Sequence, residues 1–274
     1  MICSGCRKPA QEATVRIVET NKIVKVMEVR FPSSDIDGVL TYRVILPQVA
    51  PGELLPALYL LHGIESSPQD IMTHSDVVNL ASAVRMVVVM PEAGYSYYTN
   101  ARHKSHARWE DAITAELPRD VAARFPVLQG RANTGIAGIS MGGYGAIKLA
   151  LHHPDLYAFA GDMSGPLDVT RRGPSLRRWG QTWRGWMIFG VRANTRREED
   201  VFDLMSRSTE VAQIKWFESC GPQDPLFPVN QRFARELLRR GATLDRLTTP
   251  GGHDWRSWSA AMPQLFASAE KALR

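Results

Sequence analysis

The sequence predicts an α/β fold: a mostly parallel central sheet with an antiparallel N-terminal part and helices on both faces. Three observations predict it. From Ala13 to Pro47 apolar and polar residues alternate, as in strands that bury one face. Beyond Pro56 short, continuously apolar runs take over, as in strands covered on both sides. Helical patterns then separate one run from the next, the grammar of a parallel sheet.

Val15 and Ile17 mark the first antiparallel strand, Ile23 to Phe31 the second and Val39 to Leu46 the third. Turn signals at Thr20-Asn21-Lys22 and Asp35-Ile36-Asp37-Gly38 divide them. The buried strands are expected at Leu58 to Leu61, Val87 to Met90, Thr134 to Ala137, Phe159 to Met163, Ile214 to Ser219 and Leu244 to Leu247. Helices are expected at Gln69 to Val84, Trp109 to Phe125, Met141 to His152, Val229 to Arg240 and Trp255 to Leu273. Pro118 falls inside the second and should kink or split it, since proline removes a hydrogen bond and clashes with the preceding turn. Residues 1–12 read as an N-terminal tail and 13–274 as one domain, with an Arg- and Trp-rich insertion at about 167–212 expected as a cap.

Composition narrows the class. The chain has 274 residues, 44% hydrophobic and 22% charged, ordinary for a soluble globular domain. Its longest apolar stretches, such as Ala57 to Leu61 and Met86 to Met90, fall far short of the roughly 20 residues that cross a bilayer, so no membrane span is expected. The net charge of +5 is concentrated between Val169 and Arg197, which is rich in arginine and has no acidic residue. No nucleic-acid recognition motif accompanies it, and no nucleic-acid partner is expected. Cys3 and Cys6 are half of a zinc knuckle without its second pair, so no metal is expected. A secretory pattern is missing from the N-terminus, and a cytoplasmic location is the expectation.

Gly138-Ile139-Ser140-Met141-Gly142 matches G-x-S-x-G, the sharp strand-to-helix turn that lifts a serine hydroxyl clear of a sheet edge. The run Thr134 to Ala137 leads into it and a helical pattern follows. A serine hydroxyl is a poor nucleophile at neutral pH, so it needs a base and a carboxylate to orient that base. Among seven histidines His253 stands in a loop after the last strand and before the final helix. His152 and His153 end a helix, where a cation suits the dipole, and His62 follows a strand, where it is placed to support the oxyanion loop. Asp224 follows a buried strand and completes the order Ser140, Asp224, His253. Asp254 and Asp162 are weaker candidates for the acid, the first because adjacent loop side chains seldom face each other. Two backbone amides, those of Met141 and Ile64, are expected to form an oxyanion hole, with Gly63 letting the chain turn inward.

With these residues in place, the chain resembles the esterase D-like group of α/β hydrolases, which includes tributyrin-type carboxylesterases, S-formylglutathione hydrolases, feruloyl and acetylxylan esterases, and mycolyltransferases. The resemblance spans about Val39 to the C-terminus. It is carried by Tyr59-Leu60-Leu61-His62-Gly63, Val88-Val89-Met90-Pro91, Gly138 to Ala146, and Gly251-Gly252-His253-Asp254-Trp255. It implies the α/β-hydrolase fold, a triad of Ser140, Asp224 and His253, a hole made by Ile64 and Met141, and no cofactor. S-formylglutathione hydrolases usually carry histidine where Ile139 stands, whereas Tyr97-Tyr98-Thr99-Asn100 looks like the Tyr-Thr segment of tributyrin-type and feruloyl enzymes. The expectation is hydrolysis of short-chain acyl esters, with feruloyl, acetylxylan or S-formylglutathione substrates as alternatives and acyl transfer to a sugar or alcohol as the alternative of another class.

His62, Gly63, Tyr98 and Trp183 are expected to contact substrate. In the cap, Trp179, Trp183 and Trp186 either stack on a ring of the substrate or pack downward while the arginines face water. A small ester is the expected partner, and self-association stays open.

Overall fold

The computed structural model describes residues 13–20, 23–171 and 179–273, without the side chains of 179–182. The Cys3 and Cys6 tail, turn residues Asn21 and Lys22, and part of the arginine-rich segment, with the Trp179 side chain, lie outside the described residues.

Three antiparallel strands open the chain: β1 (Thr14–Thr20), β2 (Val24–Ser33) and β3 (Gly38–Pro47). Six parallel strands follow: β4 (Ala57–Leu61), β5 (Val87–Pro91), β6 (Thr134–Ile139), β7 (Phe159–Met163), β8 (Lys215–Ser219) and β9 (Thr243–Leu247). They join in one sheet, ordered β1-β2-β3-β5-β4-β6-β7-β8-β9, with β3 antiparallel to β5 at the seam. Every residue of β4, β5 and β7 is buried, as expected of strands covered on both faces, and in β7 this includes the carboxyl group of Asp162.

Side-chain alternation along these strands divides the interior into two cores. Leu58, Leu60, Val88 and Ala137 face one core with α1 (Pro68–His74), α2 (Val77–Ala83) and α10 (Trp255–Ala272). Tyr59, Leu61, Val89 and Ile136 face the other with α4 (Leu117–Arg124), α5 (Met141–His152) and α9 (Phe227–Arg239). This is the α/β-hydrolase architecture the sequence predicts.

Two helices differ from expectation. The segment Gln69 to Val84 forms α1 and α2 rather than one helix. Ser75 turns to extended backbone (φ −141°, ψ 165°) and its hydroxyl donates to the Ile71 carbonyl at 2.6 Å. Asp76 then opens α2, as serine and aspartate favour helix ends over interiors. The segment around Pro118 neither breaks nor stays regular. After α3 (Trp109–Asp111) the chain widens into a π turn, Ala112–Glu116, before α4, and Leu117 N–H donates to the Ala112 carbonyl five residues back. Widening the turn accommodates a residue that has no N–H and whose ring would strike the carbonyl four positions earlier.

Between β7 and β8 the inserted segment carries α6 (Trp179–Phe189), α7 (Ala193–Glu198) and α8 (Val201–Arg207). It is anchored by its ends: Ile188 and Phe189 are buried, and their neighbourhood pairs with Arg102 and His103 through main-chain hydrogen bonds. Trp183 is 55% exposed, so it does not pack down as an amphipathic cap residue would. Among the described residues no helix is long and apolar enough to cross a membrane.

Candidate active site

The carboxyl ends of the parallel strands deliver the reactive side chains, where ligands gather in open α/β sheets. Ser140 lies between β6 and α5 with φ 54° and ψ −116°, a conformation that non-glycine residues seldom adopt. Its own N–H is spent on the Met163 carbonyl at 2.8 Å. The flanking glycines are steric necessities. A Cβ on Gly138 would come within 2.2 Å of the Gly142 backbone, and one on Gly142 within 2.2 Å of the Leu61 carbonyl oxygen.

Ser140 Oγ stands 2.8 Å from His253 Nε2, and His253 Nδ1 stands 2.8 Å from Asp224 Oδ2. A carboxylate accepts from Nδ1–H, which leaves Nε2 with the lone pair facing the serine hydroxyl. Burial pushes the Asp224 carboxyl up, but the His253 hydrogen bond, the Leu226 amide and the imidazole's charge outweigh it and hold the group below its ordinary value. Trp258, one turn into α10, meets the imidazole edge-on with centroids 5.0 Å apart, restricting its rotation. Thus Ser140, His253 and Asp224 form one hydrogen-bonded line. Asp254 instead caps α10 by accepting from Ser257 N–H at 3.1 Å, and Asp162 is wholly buried, His253 Nδ1 bonding Asp224 instead.

The loop after β4 passes beside Ser140. A Cβ on Gly63 would sit 3.4 Å from Ser140 Cβ and 4.0 Å from its Oγ, so a larger residue there would crowd the reacting atoms. Met141 N–H belongs to the first residue of α5, one of the amides a helix leaves without an internal acceptor.

His62 and Tyr98, both expected against substrate, are buried completely. Their side chains are turned inward. His62 Nδ1 donates to the Gly63 carbonyl at 2.7 Å and Nε2 accepts from Ala93 N–H at 2.9 Å, so both ring nitrogens are committed. Burial, only partly offset by that Gly63 bond and Glu92, lowers its pKa and keeps the ring neutral. Tyr98 Oη donates to the His62 carbonyl at 2.9 Å. Gly63 does lie beside Ser140, and Trp183 is exposed on α6.

Sequence reading did not single out Lys148. It is fully buried in α5, where Nζ donates to Glu110 Oε2 at 2.6 Å, the Tyr98 carbonyl at 2.8 Å and Thr99 Oγ1 at 3.1 Å, and pairs with Glu199 at 3.3 Å. His152 and His153 each reach Glu110 Oε1 at 2.8 Å. Glu110, His152 and His153 bring metal-type donors within 4.8 Å of one another, but that carboxylate is already ion-paired with Lys148 and the contacts have hydrogen-bond length. The signal in the sequence was a lone charge in an otherwise apolar helix, Gly142 to Leu151.

A family model described as "Putative esterase" matches residues 33–269. An acetyl esterase from Caldicellulosiruptor saccharolyticus is 24% identical over 257 residues, covering 88% of this chain and 96% of the relative. Among solved structures, the fluorophosphonate-binding serine hydrolase F of Staphylococcus aureus is 26% identical with a TM-score of 0.78, covering 90% of this chain and 99% of that one. An S-formylglutathione hydrolase from Agrobacterium tumefaciens has a TM-score of 0.81 at 19% identity, covering 94% and 99%, a likeness of fold.

Proposed function

Because the chain belongs to the esterase family and is therefore an enzyme of carboxylic ester hydrolysis, we propose that it is a serine carboxylesterase for short-chain acyl esters, with Ser140 as the acylated residue. The line of two 2.8 Å hydrogen bonds from Ser140 through His253 to Asp224 carries this reading. His253 Nε2 takes the hydroxyl proton as Oγ attacks the ester carbonyl, while Asp224 stabilises the resulting imidazolium. The amides of Ile64 and Met141 receive the charge that forms on the carbonyl oxygen. His253 then returns its proton to the departing alcohol oxygen, leaving an acyl group on Ser140. Water repeats the cycle and frees the acid. No step calls for a cofactor.

A short acyl group suits the surroundings. Tyr97, Tyr144 and Phe189 close together beside the start of α5, with ring centroids 5.3 to 6.0 Å apart, and Tyr97 N–H contacts Met141 Sδ at 3.4 Å. We place the acyl site against these rings, which on this reading keep it short. The acetyl esterase relative supports the same class.

Purified protein should cleave chromogenic acetyl to butyryl esters faster than octanoyl, feruloyl or S-formylglutathione substrates, and Ser140→Ala should lose about 10⁴-fold or more in kcat. Preference for octanoyl or longer chains rejects the short pocket. Undiminished cleavage by Ser140→Ala rejects the nucleophile.

A further inference from the structure

The two donors assigned to the oxyanion hole come from different parts of the chain, Ile64 from the loop after β4 and Met141 from the first turn of α5. Catalysis by preorganised dipoles needs their separation fixed before charge develops. Neither element sets that separation alone.

A buried brace links them. Its first joint is on α5, where Lys148, two turns beyond Met141, donates to the Tyr98 carbonyl and to Thr99 Oγ1. Its second is Tyr98 itself, whose phenol donates at 2.9 Å to the carbonyl of His62, two residues before Ile64. The Tyr98 ring also lies against α5: a Cβ on Gly145 would come within 2.5 Å of Tyr98 Cδ2, so glycine there lets helix and ring meet.

The segment between the joints is held in an unfavourable conformation. Tyr97 and Tyr98 have φ of 51° and 53°, consecutive aromatic residues in the left-handed region, and both are buried. Such a backbone is disfavoured for residues with a side chain and persists only where surrounding contacts over-determine it. Here the contacts are present. Tyr98 N–H donates to Ser96 Oγ at 3.0 Å, Thr99 Oγ1 donates to the Tyr97 carbonyl at 3.0 Å, and Lys148 holds the next carbonyl. A relaxed turn would carry the phenol away from His62.

The geometry points to Tyr98 as a positioning residue for ester hydrolysis: its phenol registers the oxyanion loop against the nucleophile helix through Lys148. This rests on the reading of Ile64 and Met141 as the charge-binding amides. Tyr98 touches no substrate and acts through the His62 carbonyl alone.

Tyr98→Phe removes one oxygen and keeps the ring. On an acetyl or butyryl ester kcat should fall about tenfold, below the 10²–10³ lost when a whole donor is deleted, with KM within about twofold of wild type. Affinity for an alkyl boronic acid, whose tetrahedral adduct on serine mimics the charged intermediate, should fall by the same factor as kcat. A purely structural role would lower thermal stability without that match. Unchanged kcat, or a raised KM at constant kcat, overturns the proposal. If Tyr98→Phe folds poorly, Ser96→Ala, which removes the acceptor of Tyr98 N–H, should produce a smaller version of the same paired loss, and unaltered kinetics there also overturns it. Ser140→Ala separates the two readings: activity surviving in it fails the serine mechanism, whereas an inactive Ser140→Ala beside a fully active Tyr98→Phe fails the brace only.

Discussion

At φ 54° and ψ −116°, Ser140 sits in backbone space that suits glycine, and the fold maintains it there with the Met163 carbonyl on its N–H and glycine on either side of the turn. The cost, of order 1–3 kcal/mol, keeps the hydroxyl facing His253 instead of retreating into a relaxed helix start. Ser140→Gly should therefore abolish ester cleavage and raise unfolding stability by about 1 kcal/mol, net of the lost Oγ to His253 hydrogen bond. Urea denaturation checks it, and a clear destabilisation would show that the turn is not strained. This residue was legible because the tight turn demands glycines at fixed spacing, and Asp224 and His253 were legible through chain order. The substrate contacts expected of His62 and Tyr98 do not fit their complete burial. A histidine and a tyrosine near a nucleophile look the same in sequence whether they face the cleft or support the loop beneath it, and only their buried partners, Ala93 N–H and the His62 carbonyl, tell the two apart.

Among elements, α5 does the most. It carries Ser140 at its start, its middle is buried from Met141 to Leu151, and its far end reaches Glu110 through His152 and His153. Lys148 binds α3 through Glu110 and the inserted segment through Glu199, while Tyr144 Oη donates to the Glu199 carbonyl at 2.6 Å. Removing only the cation strands two carboxylates in the interior, which costs far more than an exposed ion pair would. Lys148→Met should lose about 3–5 kcal/mol of stability, read from the denaturation midpoint, and a loss under about 1 kcal/mol would mean that the cluster is wetter than its burial indicates. The apolar run from Gly142 to Leu151, broken only by Lys148, made α5 legible. Periodicity missed the break at Ser75, where the serine hydroxyl donates to the Ile71 carbonyl, and at Pro118 it anticipated a kink or split where the chain instead widens into a π turn, because neither detail alters the apolar spacing.

For the molecule as a whole, the strand alternation between Ala13 and Pro47 and the apolar runs beyond Pro56 were enough to read a seam between antiparallel and parallel sheet; the pairing across β3 and β5 realises it. Less visible was the balance of buried acids, which depends on neighbours far apart in the chain. Burial first and Glu218 second push the Asp162 carboxyl well above its ordinary value, so the folded chain keeps a proton that the unfolded chain releases. Glu110 goes the other way: burial raises it, but Lys148, His152 and His153 overcome that and hold it low. The signs follow from proton counts. Glu110 adds stability above the ordinary glutamate range, which is lost as the solution becomes more acid. Asp162 adds stability below the ordinary aspartate value, and loses it as pH rises above that value, at up to about 1.4 kcal/mol per pH unit. Asp162→Asn keeps the shape of the protonated acid and has no proton to lose. Between pH 5 and pH 8 the unfolding free energy of the variant should therefore decline less steeply than that of wild type, with the two curves closest at the acid end. Parallel curves across that window would mean that Asp162 is ionised in the folded chain, its charge met by hydrogen-bond donors that outweigh burial and the repulsion of Glu218 and Asp224.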